Sequence, residues 1–181
     1  MRLVQSFLTV GLAVLAQANR MSTEFETHAL GVFEIKDFLV YNMVSTEWRD
    51  HSARLTNRNI SFVFADPNAN TTTKCEDGWT KSATVDNTPF NYIYCGGGPG
   101  NGGFSAFKFS TYDSPGKFEL QITHSFSDPT HYPPPYNYVQ YFAPATFELD
   151  CSKVRNSVNS GSTNRCLRPG PIRGIINRIT N

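Results

Sequence analysis

An all-β fold is what this chain predicts: a compact antiparallel β-barrel or sandwich, closed by two disulfides and followed by a short C-terminal extension. Three observations lead there. Apolar residues recur with a period of two in run after run beyond residue 30, which is the period of a half-buried strand. Clusters of Gly, Pro, Asn and Asp separate those runs, and no long helical period competes with them. Four cysteines follow a segment that reads as an export signal, so an even number of thiols is expected to pair in an oxidising compartment.

The first element is that signal, residues 1–18. Arg2 supplies a positive start, Phe7, Leu8, Val10 and Leu12 to Leu15 form an apolar run too short for a bilayer, and Ala16-Gln17-Ala18 has the small-x-small form of a cleavage site. Residues 19–29 make an N-terminal segment, 30–166 the β domain and 167–181 a basic C-terminal tail. About 163 residues remain after cleavage, a length for one domain that buries roughly two-thirds of its extended surface. Charged residues at 17% and aromatics at 13% suit a secreted β protein better than a helical or disordered one. No second hydrophobic run approaches membrane length, so a soluble, secreted, extracellular protein with no membrane span is expected.

Strands are predicted in chain order. Val32 to Val40 makes one, although Asp37-Phe38 breaks its phase. Ile60, Phe62 and Phe64 form the apolar face of the next, then Phe90, Tyr92 and Tyr94, then Phe107 with Phe109. In Lys117 to Phe126, the residues Phe118, Leu120, Ile122, His124 and Phe126 share one face against Glu119, Gln121, Thr123 and Ser125 on the other. Alternation continues through Val139, Tyr141, Ala143, Ala145, Phe147, Leu149 and Cys151. Pro144 interrupts that run and cannot donate to a ladder, so a bulge or an edge position is expected there. Turn formers lie between these runs at Asp66-Pro67-Asn68, in the glycine-rich stretch 96–103, at Asp113 to Gly116 and from Asp128 to Pro135. In the tail, Ile172, Ile175, Ile176 and Ile179 have helical spacing, weakened by Pro169, Pro171 and two glycines; an irregular docked tail is the alternative.

Charge is unevenly distributed. Asn19 to Cys151 carries nine basic and fifteen acidic residues, whereas Ser152 to Asn181 carries Lys153, Arg155, Arg165, Arg168, Arg173 and Arg178 with no carboxylate. Such a tail either lies on the acidic face of its own domain or forms a patch for an anionic surface. It lacks interleaved stacking aromatics, so nucleic acid is the least favoured partner.

Cysteine spacing alone permits three connectivities among Cys75, Cys95, Cys151 and Cys166. Sequential pairing, Cys75 with Cys95 and Cys151 with Cys166, is preferred because each bridge then closes a short polar segment with little apolar material of its own. Each bridge is expected to contribute about 3 kcal/mol. Zinc is the competing use, but no Cys-x-x-Cys occurs and the histidines are dispersed, so neither metal nor cofactor is expected.

Catalytic constellations are sparse. His28 precedes the strands, His51 lies in a polar turn, His131 sits beside the proline run, and His124 falls on an otherwise apolar strand face. A core or rim imidazole hydrogen-bonded to backbone or to a tyrosine hydroxyl is the simpler account of His124. Glu119 and Glu148 lie on polar strand faces and could pair for glycoside chemistry, though solvated outer-face charge explains them more simply. The glycine run lacks the Lys-Ser/Thr ending of a phosphate cradle and reads as a flexible loop. Two sequons, Asn59-Ile60-Ser61 and Asn70-Thr71-Thr72, mark candidate glycosylation sites at Asn59 and Asn70, with Asn70 favoured by its polar turn. Tyr132, Tyr136, Tyr138 and Tyr141 surround Pro133-Pro134-Pro135, and rings on a stiff loop offer contact area to a ligand or partner at low entropic expense. The alternative is a long hairpin connection whose tyrosines pack back on the domain.

The order of Val32-Phe33-Glu34-Ile35-Lys36-Asp37-Phe38, Ile60 to Phe64, Tyr92-Ile93-Tyr94-Cys95-Gly96, Phe107-Lys108-Phe109-Ser110 and the pair Cys151 and Cys166 resembles the fungal Alternaria major allergen (Alt a 1-like) family of secreted β-barrels, over roughly Leu30 to Cys166. The resemblance implies an antiparallel barrel with two sequential disulfides. It also implies action as an allergen, elicitor or virulence effector at the plant interface, with a host extracellular defence protein (such as a thaumatin-like one) or a flavonoid-like ligand as partner. It carries no catalytic residues. Some members join two barrels through a further N-terminal cysteine, which this chain lacks, so no covalent dimer is implied.

The expectation is therefore a secreted, non-enzymatic, fungal effector-like binding protein. A small hydrolase of wall polysaccharide or RNA, using His124 or His131 with Glu119 or Glu148, is the alternative. A carbohydrate-binding module with coplanar exposed tyrosines at 132–141 is a third.

Overall fold

The computed structural model describes residues 30–46, 54–96, 103–155, 162–168 and 170–181. The expected signal peptide, the N-terminal segment, His28 and His51 lie outside these residues. The described chain is all-β, with strands β1 (Phe33–Thr46), β2 (Arg54–Asp66), β3 (Thr71–Lys81), β4 (Ile93–Tyr94), β5 (Phe104–Ser114), β6 (Lys117–Ser127), β7 (Tyr138–Glu148), β8 (Asp150–Arg155), β9 (Ser162–Leu167), β10 (Ile172–Gly174) and β11 (Arg178–Thr180). They form two antiparallel sheets, one ordered β3-β2-β1-β9-β8 with β10 also on β1, the other ordered β11-β7-β6-β5-β4. The two sheets face each other as a sandwich, with the core between them.

Alternation decides which faces meet. Phe118, Leu120, Ile122, His124 and Phe126 of β6 are all buried, as are Val139, Tyr141, Ala143, Ala145 and Phe147 of β7. The expected phase break in β1 is a bulge: the register with β2 slips between Lys36 and Leu39, and Asp37 adopts φ 50°. Its effect is to bury Phe33 and Ile35 before the bulge and Phe38, Val40 and Asn42 after it. A second slip in β5, between Phe109 and Thr111, likewise brings Tyr112 onto the face already used by Phe107 and Phe109. Phe38 then stands among Phe62, Phe118 and Phe147 with ring centroids 5.7, 5.8 and 4.5 Å away. Each such ring contributes about 2–3 kcal/mol through burial alone.

Pro144 causes no bulge. It stays in register with Gln121, and β11 pairs β7 only over Gln140 to Phe142, so Pro144 occupies the edge stretch beyond β11.

Both bridges are sequential, Cys75–Cys95 and Cys151–Cys166. The first joins β3 of one sheet to the residue after β4 of the other and clips one flank of the sandwich. Beside it, the Cys95 N–H donates to the Ser105 carbonyl at 2.8 Å and the Gly96 N–H to the Lys74 carbonyl at 3.0 Å. The second bridge links directly opposed residues of β8 and β9.

Three expectations change. The isoleucines of the tail do not form a helix: Ile172 belongs to β10 and Ile179 to β11, Ile172 is buried, and Ile175 is 69% exposed. The proline and glycine positions leave the backbone extended, and its free edges are satisfied by pairing with β1 and β7. Phe90, Tyr92 and Tyr94 do not form a core face, since Phe90 and Tyr94 are exposed and only Ile93–Tyr94 is strand. The polar stretches around Cys75 and between Cys151 and Cys166 contain strands β3, β8 and β9.

Candidate functional site

One end of the sandwich gathers buried polar side chains. β6 carries His124 into the core because its strand phase leaves no other face, and β2 ends there at Asp66. The His124 Nδ1–H donates to Asp66 Oδ2 at 2.7 Å, with both side chains almost fully enclosed. Asp66 Oδ1 accepts from the Asn68 backbone N–H and from Asn68 Nδ2, each at 2.8 Å. Asn68 in turn clamps Gly31, accepting its N–H at 2.7 Å and donating to its carbonyl at 3.2 Å. The imidazole stacks on Phe126 at 5.0 Å and meets the edge of Phe64 at 5.9 Å.

The proline-rich loop caps the same end. Asp128 donates its N–H to the Asn137 carbonyl at 2.6 Å, and its carboxylate accepts the Nδ1–H of His131 at 2.9 Å. Tyr132 plugs the loop into the core, 2% exposed, its hydroxyl 3.5 Å from that of Tyr141. Burial raises the Tyr141 hydroxyl well above its ordinary range, and the Tyr132 hydroxyl and the negative Asp128 and Asp66 push it the same way. This phenol remains a neutral donor.

These positions correct the reading of the loop tyrosines as one contact surface. Tyr132 and Tyr141 are sealed in the core and present no face to a ligand, whereas Tyr136 and Tyr138 are exposed by 46% and 49%. Tyr141 turns inward by the phase of β7, beside Val139 and Ala143, whereas the inward turn of Tyr132 is set by the folded loop and leaves no strand period in the sequence. The four rings are therefore not the coplanar exposed set that a carbohydrate-binding module requires.

Glu119 and Glu148 do not converge on either histidine. They stand opposite Thr146 and Lys117 near the start of β6, while His124 lies opposite Tyr141 toward its end. The aspartates that the histidines do engage were read from sequence only as turn residues. Asp128 with His131, three residues apart, carried a local signal; Asp66 with His124, separated by 58 residues, carried none.

The opposite end is built on a cross-strand row, Asn42–Arg58–Trp79, over β1, β2 and β3. The Arg58 guanidinium lies 4.7 Å over the Tyr112 ring and donates to Thr88 Oγ1 at 3.3 Å. Burial pushes the Tyr112 hydroxyl up to about 12. Asp86 lies 2.7 Å from Lys81 and 3.7 Å from Arg58. Burial alone would raise its carboxyl, but Lys81, the Thr88 hydroxyl and N–H, and Arg58 together bring it down to about 2.

Both sequon asparagines are exposed. Asn70 closes the turn before β3 with φ 51°. Asn59 stands on the outer face of β2 opposite Gly78, whose missing side chain opens a groove lined also by Asn57 and Thr80.

A second cleft, of about 690 Å³, lies where the tail leaves β9 and returns as β10; Lys36, Asp37, Leu39, Arg165, Leu167 and Arg168 line it. Among the described residues no group of three or more His, Cys, Asp or Glu side chains is placed to hold a metal ion, and no helix is long and apolar enough to cross a membrane.

No protein-family model, curated protein or solved structure matches this chain.

Proposed function

We propose that this is a secreted protein that works by binding, presenting its surface to a host extracellular defence protein or a small aromatic ligand, and that it is an Alternaria major allergen-like effector. One observation carries the reading. Both histidines of the described residues are committed to aspartates that hold the fold, His124 inside the core and His131 within the loop cap, and neither faces Glu119 or Glu148. The two sequential bridges and the all-β sandwich support the family likeness and an oxidising destination. Exposed rings at Tyr136 and Tyr138 supply contact surface that no internal packing demands.

The hydrolase reading keeps one point in its favour, the 2.7 Å His124–Asp66 pair, which has the form of an oriented general base. The test takes the oxidised mature protein through plant apoplastic fluid, with saturable capture of a specific protein expected. Alongside, wall polysaccharides and RNA are offered as substrates to the wild type and to His124→Gln and His131→Gln. Turnover abolished by either substitution overturns the binding reading.

A further inference from the structure

We propose that Asn59 carries an N-linked oligosaccharide whose first sugars lie in the groove over Gly78. The inference rests on the secretory part of the reading above and adds a modification site to it.

Two residues of the β2–β3 ladder lack a folding reason. Asn59 and Gly78 stand directly opposite each other inside that ladder, and both residue types are disfavoured in strands. A glycine there weakens the strand and marks a place where something must come close to the backbone. The Asn59 side chain is exposed, and among the described residues its amide takes part in no hydrogen bond. Asn70, the sequon favoured by sequence, is different. Its φ of 51° lies in the left-handed region, which asparagine tolerates better than most residues, so the turn itself accounts for it.

The space lies beside the atom that would be modified. A Cβ on Gly78 would sit 3.5 Å from Asn59 Nδ2, so any longer side chain would fill the room next to that nitrogen. The resulting groove measures about 400 Å³, and Asn57 and Thr80 line it with Asn59. Arg58 and Trp79 also border it, but Arg58 lies over the Tyr112 ring and Trp79 packs in the core. The side chains left to an occupant are therefore neutral amides and a hydroxyl, which both donate and accept and so match the hydroxyls of a sugar.

Asn59-Ile60-Ser61 supplies the acceptor pattern. In the secretory lumen a transferase moves the oligosaccharide from a polyprenyl diphosphate donor. The bond from Asn59 Nδ2 to the anomeric carbon forms, the bond from that carbon to the diphosphate oxygen breaks, polyprenyl diphosphate leaves, and the amide gives up one proton. Nothing is oxidised or reduced. Because Ile60 is buried and Asn59 is paired with both β1 and β3, the transfer belongs to the unfolded chain, before β2 joins its sheet.

The test expresses the chain in a fungal secretory host in two forms, one behind its own residues 1–18 and one behind an established secretory leader in their place. The second form enters the lumen whatever the first does, so failure of export and failure of the Asn59 assignment are read separately. Both forms carry Thr72→Ala, which removes the Asn70 sequon at an exposed position. Secreted protein is treated with peptide N-glycosidase in heavy-oxygen water, which labels each formerly glycosylated position, and is then mapped by mass spectrometry. Label at position 59 is expected, and Ser61→Ala should abolish it. An unlabelled position 59 in secreted protein overturns the proposal. Sugars packed in the groove shield their own linkage, so release from the native fold should be at least about tenfold slower than from denatured protein. Gly78→Val fills the groove and should remove most of that protection while position 59 stays labelled. Equal release from native and denatured wild type overturns the placement over Gly78, and that comparison stands even where the valine variant folds poorly. Export only behind the foreign leader overturns the reading of residues 1–18 and leaves the label at position 59 to decide the glycan.

Discussion

Asp86 is the residue whose charge the fold depends on most visibly. Its carboxyl titrates at about 2 in the folded chain against an ordinary 3.8, so its contribution is fully present above pH 3.8 and disappears as pH falls toward about 2. Replacing it by Asn removes the carboxylate 3.7 Å from the Arg58 guanidinium and, because Asp86 is itself 39% exposed and screened by water, is expected to destabilise by about 0.5–1 kcal/mol at neutral pH. The difference in melting temperature between wild type and Asp86→Asn should shrink through the same window as pH is lowered; a constant difference would refute the pairing. A backbone position gives the sharper residue-scale forecast. Gly103 has φ 112°, and a Cβ there would collide with the Ser125 carbonyl. Gly103→Ala is expected to destabilise by about 3 kcal/mol or more, read from denaturant unfolding. A glycine read from sequence as part of a flexible loop is thus a fixed point where that loop enters the second sheet.

Elements were legible in the sequence to the degree that burial wrote itself as alternation. β6 and β7 carry apolar residues on every second position and were read nearly to their ends, and the Asp37-Phe38 irregularity of β1 was visible for the same reason. β3 was not, because its inward positions are Cys75, Asp77 and Trp79 between polar neighbours, a pattern that matches no apolar period. β8 and β9 stayed hidden because they are polar strands whose reason to pair is the bridge between Cys151 and Cys166 and the neighbouring β1. The histidine environments were the least legible part, since their partners come from turns distant in sequence or oriented only by the folded loop. The two bridges differ at this scale. Cys75 and Cys95 are buried, whereas Cys151 is exposed. Graded dithiothreitol followed by alkylation and peptide mapping should therefore label Cys151 and Cys166 first, loosening edge strand β8 while the two sheets stay clipped together by Cys75–Cys95. Loss of the Cys75–Cys95 bridge should cost about 2–5 kcal/mol, since it releases one sheet from the other. Simultaneous reduction of both bridges would contradict this order.

The whole molecule is a sandwich whose flanks are held by different means, one by sulfur and the other by the tail. β10 joins the sheet of β1 and β11 joins the sheet of β7, and between them the Asn177 N–H donates to the Phe142 carbonyl at 3.0 Å. The crossing is close: a Cβ on Gly174 would sit 3.2 Å from that of Ala143, and Arg178 lies 3.7 Å over Phe142. Deleting residues 171–181 is therefore expected to remove structure as well as charge, destabilising by about 2–4 kcal/mol through loss of buried Ile172 and its strand pairing. A truncated protein that melts with the full-length one would show the tail to be an appendage after all. The outer rims of the two sheets carry a last implication. β4 and β11 span only Ile93–Tyr94 and Arg178–Thr180, β7 shows Pro144 beyond β11, the longer rim strand β3 bears exposed Lys74 and Lys81, and β8 bears exposed Lys153. Short, proline-bearing and lysine-bearing rims refuse a neighbour's strand. Copies crowded together in concentrated solution should accordingly remain dispersed and resist fibril growth.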